Sequence, residues 1–364
     1  MTKARRIVVK VGTNALTNAT GRFHRAHFEQ LAAEIAEAAA TREVVVVSSG
    51  AIALGVERLK LEARPKDVPG KQACAAVGQS RLMRAWEEAL APRPVAQVLL
   101  THDDVQARHR YLNARHALER LLEQNVIPVV NENDTVSADE IKFGDNDTLA
   151  GLVAGLVDAD LLVILSDVDG LYEEDPRSNP EAKRVPYVRA LTREVLAKAG
   201  ASGSKVGTGG MATKVRAAAR ATELGIRCVV CAGLKPGRLG QVLAGEEVGT
   251  LFDATAQKKA RSGWIAHALK PRGRLRVDEG AVRALVERNK SLLPSGVRSV
   301  EGRFDKGDPV DIAGPGGEVV ARGLAAYDSD ELKRIAGKKT SQIEAELGYR
   351  GLDEAVHRDD LVVL

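Results

Sequence analysis

Aromatic side chains are scarce in this sequence: two Trp, five Tyr and five Phe make up 3% of 364 residues. Few rings leave few platforms for stacking bases, which argues against a nucleic-acid binder. Charge of one sign is lacking as well. Lys and Arg number 53 against 49 Asp and Glu, a net +4, which suits small anionic ligands better than a polyanion. Cysteine is limited to Cys74, Cys228 and Cys231, which cannot all pair with one another. Cys228 and Cys231 form a C-x-x-C inside the apolar run 226–231, which reads as a buried strand. Residues three apart in a strand point to opposite faces, a poor start for a metal site, so reduced core thiols are expected. No run approaches the roughly 18 consecutive apolar residues of a membrane span, which leads us to expect a cytoplasmic protein without a membrane partner. None of the seven His stands in a pattern that suggests catalysis. Nothing supplies the G-x-x-x-x-G-K-[ST] phosphate loop either; Gly337-Lys338-Lys339-Thr340 has no hydroxyl residue directly after its first Lys.

What is present is an α/β alternation. The length suits two domains, and 44% hydrophobic residues can fill their cores. Apolar runs at 6–11, 43–48, 95–100, 126–130, 161–165 and 226–231 are mostly continuous, as in strands covered on both faces. Helical spacing marks 26–40, 71–90, 112–124, 148–157 and 211–224. Together these predict a three-layer α/β sandwich with a mainly parallel sheet, in which ligands bind beyond the carboxyl ends of the strands. Past residue 270 the texture changes to short strands broken by Gly, Pro and Asp, at 275–277, 296–301, 309–312, 318–327 and 361–364. We therefore expect a catalytic domain over 1–257, a basic linker over 258–270 and a small β-rich domain over 271–364. From residue 262 onward 17 Lys and Arg balance 17 Asp and Glu, which argues against RNA binding by the small domain.

The strand ends carry the chemistry. Lys10 closes the first strand in Val9-Lys10-Val11-Gly12-Thr13. A lysine there either snorkels to water or meets an anion, because an unpaired buried ammonium is costly, and Gly12 lets backbone approach a ligand. Ser48-Ser49-Gly50-Ala51 follows the second strand and reads both as an anion site at a helix N-terminus and as an ordinary cap by Ser49. Asn131-Glu132-Asn133-Asp134 and Gly144-Asp145-Asn146-Asp147 hold more Asn and Asp than turns require, Asp145 alone being explicable as a turn or cap. Carboxylates and amides together can hold both ends of a zwitterion. Ser166-Asp167 ends a further strand and suits the rim of a nucleotide site. Gly207-Thr208-Gly209-Gly210-Met211-Ala212-Thr213-Lys214 runs a glycine-rich loop into a helix with a lysine in its first turn. That lysine faces the positive end of the helix dipole, an unfavourable place unless a polyphosphate reverses the sign. The loop also fits a loose G-x-G-x-x-A, but no strand directly precedes it and the next strand ends without an acid for a ribose, against a dinucleotide fold.

These motifs, in this order, resemble the amino-acid-kinase family and within it the glutamate 5-kinases, whose smaller domain is of the PUA type; the resemblance covers essentially the whole chain. It implies ATP-dependent phosphorylation of the side-chain carboxylate of L-glutamate to L-glutamyl 5-phosphate, the first step of proline biosynthesis. The neighbouring alternatives are N-acetylglutamate or aspartate as acceptor, or RNA binding through the small domain. Carried over, Lys10 and Lys214 contact the travelling phosphoryl group and Asp147 orients them. Ser49, Asp134 and Asn146 hold glutamate, with Gly50, Asn131 and Asp145 beside them. Gly12, Ser166, Asp167 and the loop residues Thr208, Gly209, Gly210, Met211, Ala212 and Thr213 join the two lysines around ATP. The resemblance further implies Mg²⁺ on the ATP phosphates with no protein-held metal, a homodimer or homotetramer, L-proline as feedback inhibitor, and glutamyl phosphate reductase as a partner. Departures are small: Ser48 and Ser166 where Thr is expected, and Ala212 where Ser is common. The chemistry is consistent, since a carboxylate of pKa about 4.3 is already an anionic nucleophile at neutral pH and needs no general base.

Overall fold

The computed structural model describes residues 1–18, 21–106, 108–136, 145–176, 178–192, 195, 210–254 and 271–364. They fall into two compact units, Met1–Lys258 and Lys259–Leu364. The stretch 258–270 expected as a linker lies outside the described residues.

The larger unit is built on strands β1 (Arg6–Val11), β2 (Glu43–Ser48), β3 (Val95–Leu100), β4 (Ile127–Glu132), β5 (Leu161–Ser166), β6 (Tyr187–Val188), β7 (Arg227–Ala232) and β8 (Thr250–Phe252). They form one sheet in the order β3-β4-β2-β1-β5-β7-β8-β6. All pairs from β3 to β7 are parallel, and β8 runs antiparallel to β7. The chain leaves β1 for β2 on one side, and β5 enters on the other. The sheet's switch point therefore lies above β1 and β5, where ligands bind in open α/β sheets.

Side-chain alternation sorts the strand residues into two cores. Val8, Val45, Val47, Val130 and Leu162 pack with helices α5 (Arg108–Glu123), α6 (Asp145–Leu156) and α7 (Met211–Glu223). Ile7, Val9, Val46, Val129 and Val163 pack on the other face with α1 (Arg25–Ala39), α3 (Val68–Leu90) and α8 (Arg238–Ala244). Each such fully buried aliphatic side chain contributes about 1.5–3 kcal/mol. Cys228 falls in the first core and Cys231 in the second, so the C-x-x-C presents its sulfurs to opposite faces, and all three cysteines are free and buried.

Two local readings need correction. The fourth strand was expected to stop at Val130, but its ladder with β3 continues through Asn131 and Glu132, which are therefore strand residues and not loop. Ser49 does not cap helix α2 (Ala51–Arg58). Gly50 occupies the cap with φ +109°, a left-handed conformation that glycine alone adopts readily.

The smaller unit holds a five-stranded sheet in the order β10-β9-β11-β12-β13, with β9 Gly273–Val277, β10 Val297–Gly302, β11 Pro309–Ala313, β12 Val319–Leu324 and β13 Leu361–Val363. Its own core includes Leu275, Ile312, Tyr327 and Leu332. The helix Ser329–Ile335, absent from the sequence reading, starts on a capping box between Asp328 and Glu331. No described helix is long and apolar enough to cross a membrane.

Candidate active site

Lys10 shares a β1 face with Val8, the face covered by α6 and α7, and it sits where that strand runs out. Period-two geometry thus carries its ammonium under the first turns of both helices. There Lys10 Nζ meets Asp147 Oδ1 at 2.5 Å, and Lys214 Nζ meets Asp147 Oδ2 at 3.2 Å. Thr213 Oγ1 donates to the same Oδ2 at 2.7 Å. Asp147 lies in the first turn of α6, where the helix dipole favours a carboxylate. Lys214 lies in the first turn of α7, where it does not favour an ammonium.

All three ionic groups are buried, with side-chain exposures of 6%, 6% and 1% for Lys10, Lys214 and Asp147. Burial would push the Asp147 carboxyl up, but the adjoining Lys10 and Lys214 outweigh it and hold the group below the usual carboxylate range. Burial pulls the Lys10 ammonium below its ordinary value, and Lys214 adds to that pull against the opposing attraction of Asp147. Two ammoniums sharing one carboxylate leave a positive surplus at the sheet edge, an arrangement suited to a phosphoryl group.

Around this trio stand the other strand ends. A side chain at Gly12 would lie 3.2 Å from Lys10 Nζ, so glycine keeps open the space beside the ammonium. Ser166, the last residue of β5, donates from Oγ to Asp167 Oδ1 at 2.9 Å, and Asn14 Nδ2 donates to Asp167 Oδ2 at 2.9 Å. Burial would raise the Asp167 carboxyl; these two hydrogen bonds and the charge of Lys214 lower it instead. Gly210 caps α7 in extended conformation and has no side chain to satisfy the first N–H groups, which leaves Met211 and Ala212 presenting backbone donors at that end. Thr208 and Gly209 lie outside the described residues.

The residues expected to hold glutamate stand on or beside β2, β4 and α6. Asn146 Nδ2 donates to Ser49 Oγ at 2.9 Å and to Asn131 Oδ1 at 3.1 Å. Ser49 N donates to Val11 O at 3.0 Å, tying this group to β1. Gly50 follows directly, and Asp145 opens α6 one residue before Asn146. Asp134, half-buried beyond β4, lies within electrostatic reach of Arg64, whose pKa is lowered by burial and partly restored by that carboxylate.

The model of the amino acid kinase family matches residues 5–232, and that of the PUA domain matches residues 273–347. A glutamate 5-kinase from Myxococcus xanthus is 66% identical over 99% of this chain and 97% of its own. Another from Geobacter sulfurreducens is 50% identical over 100% of this chain and 99% of its own. This chain belongs to the amino acid kinase family, among its glutamate 5-kinases. A carbamate kinase from Giardia lamblia solved with AMP-PNP shows a TM-score of 0.49 at 19% identity, covering 70% of this chain and 99% of that one, a likeness too loose to add to the assignment.

For a member of this family, several site contacts were not anticipated from sequence. The Thr213 hydroxyl donates to Asp147, with Gly210 O 2.8 Å away as its alternative acceptor. Asn14 holds Asp167. Gln79 accepts from Asn131 Nδ2 at 2.8 Å, across 52 residues of sequence. Nothing in the sequence around Gly78-Gln79 connects this residue with β4.

Proposed function

We propose that this chain transfers the γ-phosphoryl group of ATP to the side-chain carboxylate of L-glutamate, giving L-glutamyl 5-phosphate and opening proline biosynthesis. The observation that carries the reaction is the Asp147 carboxylate gripped by Lys10 and Lys214 at the sheet's switch point. An anionic nucleophile must approach a polyphosphate, so the main barrier is electrostatic, and two preorganised ammoniums aimed at the equatorial oxygens lower it. Asp147 fixes their position and is itself held by Thr213.

In this reading Ser49, Asn146, Asn131 and Asp134 hold glutamate with Gly50 and Asp145, while Ser166, Asp167, Gly12 and the start of α7 hold the nucleotide. Both Asp147 oxygens face lysines. With that carboxylate taken, a Mg²⁺ would arrive on the ATP phosphates, and the Asp167 carboxylate at the rim would be available to its water shell. Mg²⁺ would spread charge over the phosphate oxygens. The same reading, through the family resemblance, carries a cytoplasmic dimer or tetramer inhibited by L-proline and working beside glutamyl phosphate reductase.

The test is ATP consumption with L-glutamate, N-acetylglutamate and aspartate, coupled to hydroxamate trapping of the acyl phosphate. Trapped product with glutamate alone is expected. Its absence with glutamate sinks the reading.

A further inference from the structure

The amides of the acceptor side form a chain whose polarity is forced. Glu132 N–H, a backbone donor that cannot be reversed, donates to Asn131 Oδ1 at 2.9 Å. Reversing Asn131 would set its N–H₂ against that N–H, so its oxygen must point there. The atom of Asn146 that faces Asn131 Oδ1 at 3.1 Å must then be Nδ2, and the atom of Gln79 that faces Asn131 Nδ2 at 2.8 Å must be Oε1. One backbone group thereby sets three side chains.

The consequence falls on Asn146. Both hydrogens of its Nδ2 are engaged, by Ser49 Oγ and by Asn131 Oδ1. What remains is the carbonyl oxygen, which is buried and has no hydrogen-bond partner among the described residues. A carbonyl can only accept. The ligand group complementary to it is a donor, and on an amino acid that donor is the α-ammonium.

We propose that Gln79 is a positioning residue for substrate selection: by holding Asn131 Nδ2 it locks the chain so that Asn146 Oδ1 receives the ammonium of the acceptor amino acid. Gln79 reaches β4 because α3 lies almost against the start of α2. A Cβ added at Gly78 would stand 1.8 Å from Ala51 O. Glu132 N–H sets the direction of the chain, and Gln79 fixes its position. Without the Gln79 acceptor, Asn131 is held on one side only, its Oδ1 no longer stays beneath Asn146 Nδ2, and Asn146 can turn its N–H₂ toward the ligand, where it repels an ammonium. This inference rests on the proposed function, which supplies the amino-acid acceptor.

The experiment compares L-glutamate with glutarate, which lacks the amine, in steady-state kinetics of the full chain. Gln79→Met and Gln79→Ala remove the acceptor; Gln79→Glu keeps one. In the first two, KM for glutamate should rise about tenfold while kcat and KM for ATP move little, the pattern of lost substrate binding. kcat/KM for glutarate should hardly change, so the preference for glutamate over glutarate falls about tenfold. Gln79→Glu should restore most of that preference. An unchanged preference in both Gln79→Met and Gln79→Ala overturns the proposal, as does a Gln79→Glu enzyme impaired like them. A parallel loss in kcat and both KM values also overturns it, because that is the mark of a merely structural role. If the unaltered enzyme fails to phosphorylate glutamate, the proposed function falls; if it succeeds and the Gln79 variants match it, only this inference falls.

Discussion

Lys10 and Asp147 meet at 2.5 Å where their side chains are 6% and 1% exposed. A charge pair removed this far from water persists only if the fold holds both partners, and removing the shared Asp147 carboxylate strands both ammoniums. Most consequences of the site follow from that contact.

Lys10→Ala and Lys214→Ala should each lower kcat by about two orders of magnitude or more, the scale of losing one preorganised charge at the transferring group. Circular dichroism should show both variants folded, since Asp147 keeps its remaining lysine and Thr213. Near-normal turnover in both would remove the mechanism.

Asp147→Asn keeps the shape of the side chain and its hydrogen bond from Thr213 but leaves two buried ammoniums side by side. Breaking such a pair costs about 3–5 kcal/mol, so a clear fall in Tm should accompany loss of turnover. Thr213→Val removes a single hydrogen bond to that carboxylate, a loss of about 1–3 kcal/mol, and should stay active with intermediate stability. Equal Tm values for Asp147→Asn and the unaltered protein would contradict this account.

Activity should fall on the alkaline side at a pH below 10.5, because burial lowers the Lys10 pKa from that value. The sign for stability is opposite. The charged Lys10 weighs against the fold below its folded pKa, and this burden lifts as pH rises through that value toward 10.5. Asp147 behaves in the reverse sense: its folded pKa lies below the ordinary 3.8, so its contribution is present at neutral pH and is lost as pH falls through the folded value. The profile of kcat/KM against pH reports the free enzyme. Lys10→Arg, charged to above about pH 12, should shift the alkaline limb upward in whatever activity it retains; a limb in the same place would show that another group sets it.

Gly55→Ala and Gly78→Ala should raise KM for glutamate and lower stability by about 1–3 kcal/mol, the usual cost of overpacking. A Cβ at Gly55 would lie 1.9 Å from Cys74 O, and one at Gly78 would lie 1.8 Å from Ala51 O. Both force α2 and α3 apart, and α2 starts directly after Ser49 and Gly50. Thermal melts and glutamate titrations in parallel check this; unchanged values in both would mean that the helices part without effect on the site.

Much of this is legible in the sequence. Continuous apolar runs gave the central strands, and polar residues at their carboxyl ends gave Lys10, Ser49, Asn131 and Ser166. The dipole argument set Lys214 apart, because an ammonium in a first turn needs a reason. Its partner Asp147 was legible only through the family resemblance, because the residues alone do not set it apart from the acids beside it. The Gln79–Asn131 contact could not be read at all, for it depends on how closely two helices approach at Gly55 and Gly78. Caps behaved similarly: Ser49 has the right side chain for one, but only the backbone angle of Gly50 decides the matter. Short elements such as β6 and β8, of two and three residues, carry too little periodicity to register.

The central position of β1 has a bearing on how the enzyme comes into being. As the first strand made, it must wait for both flanking neighbours, and β5 arrives only after four-tenths of the chain has followed the start. Lys214 is later still, so the pair of buried ammoniums on Asp147 assembles from contacts of long sequence separation, which form slowly. Recovery of phosphotransfer during refolding should therefore lag behind recovery of helical signal, making turnover a readout of the moment the sheet closes around its oldest strand.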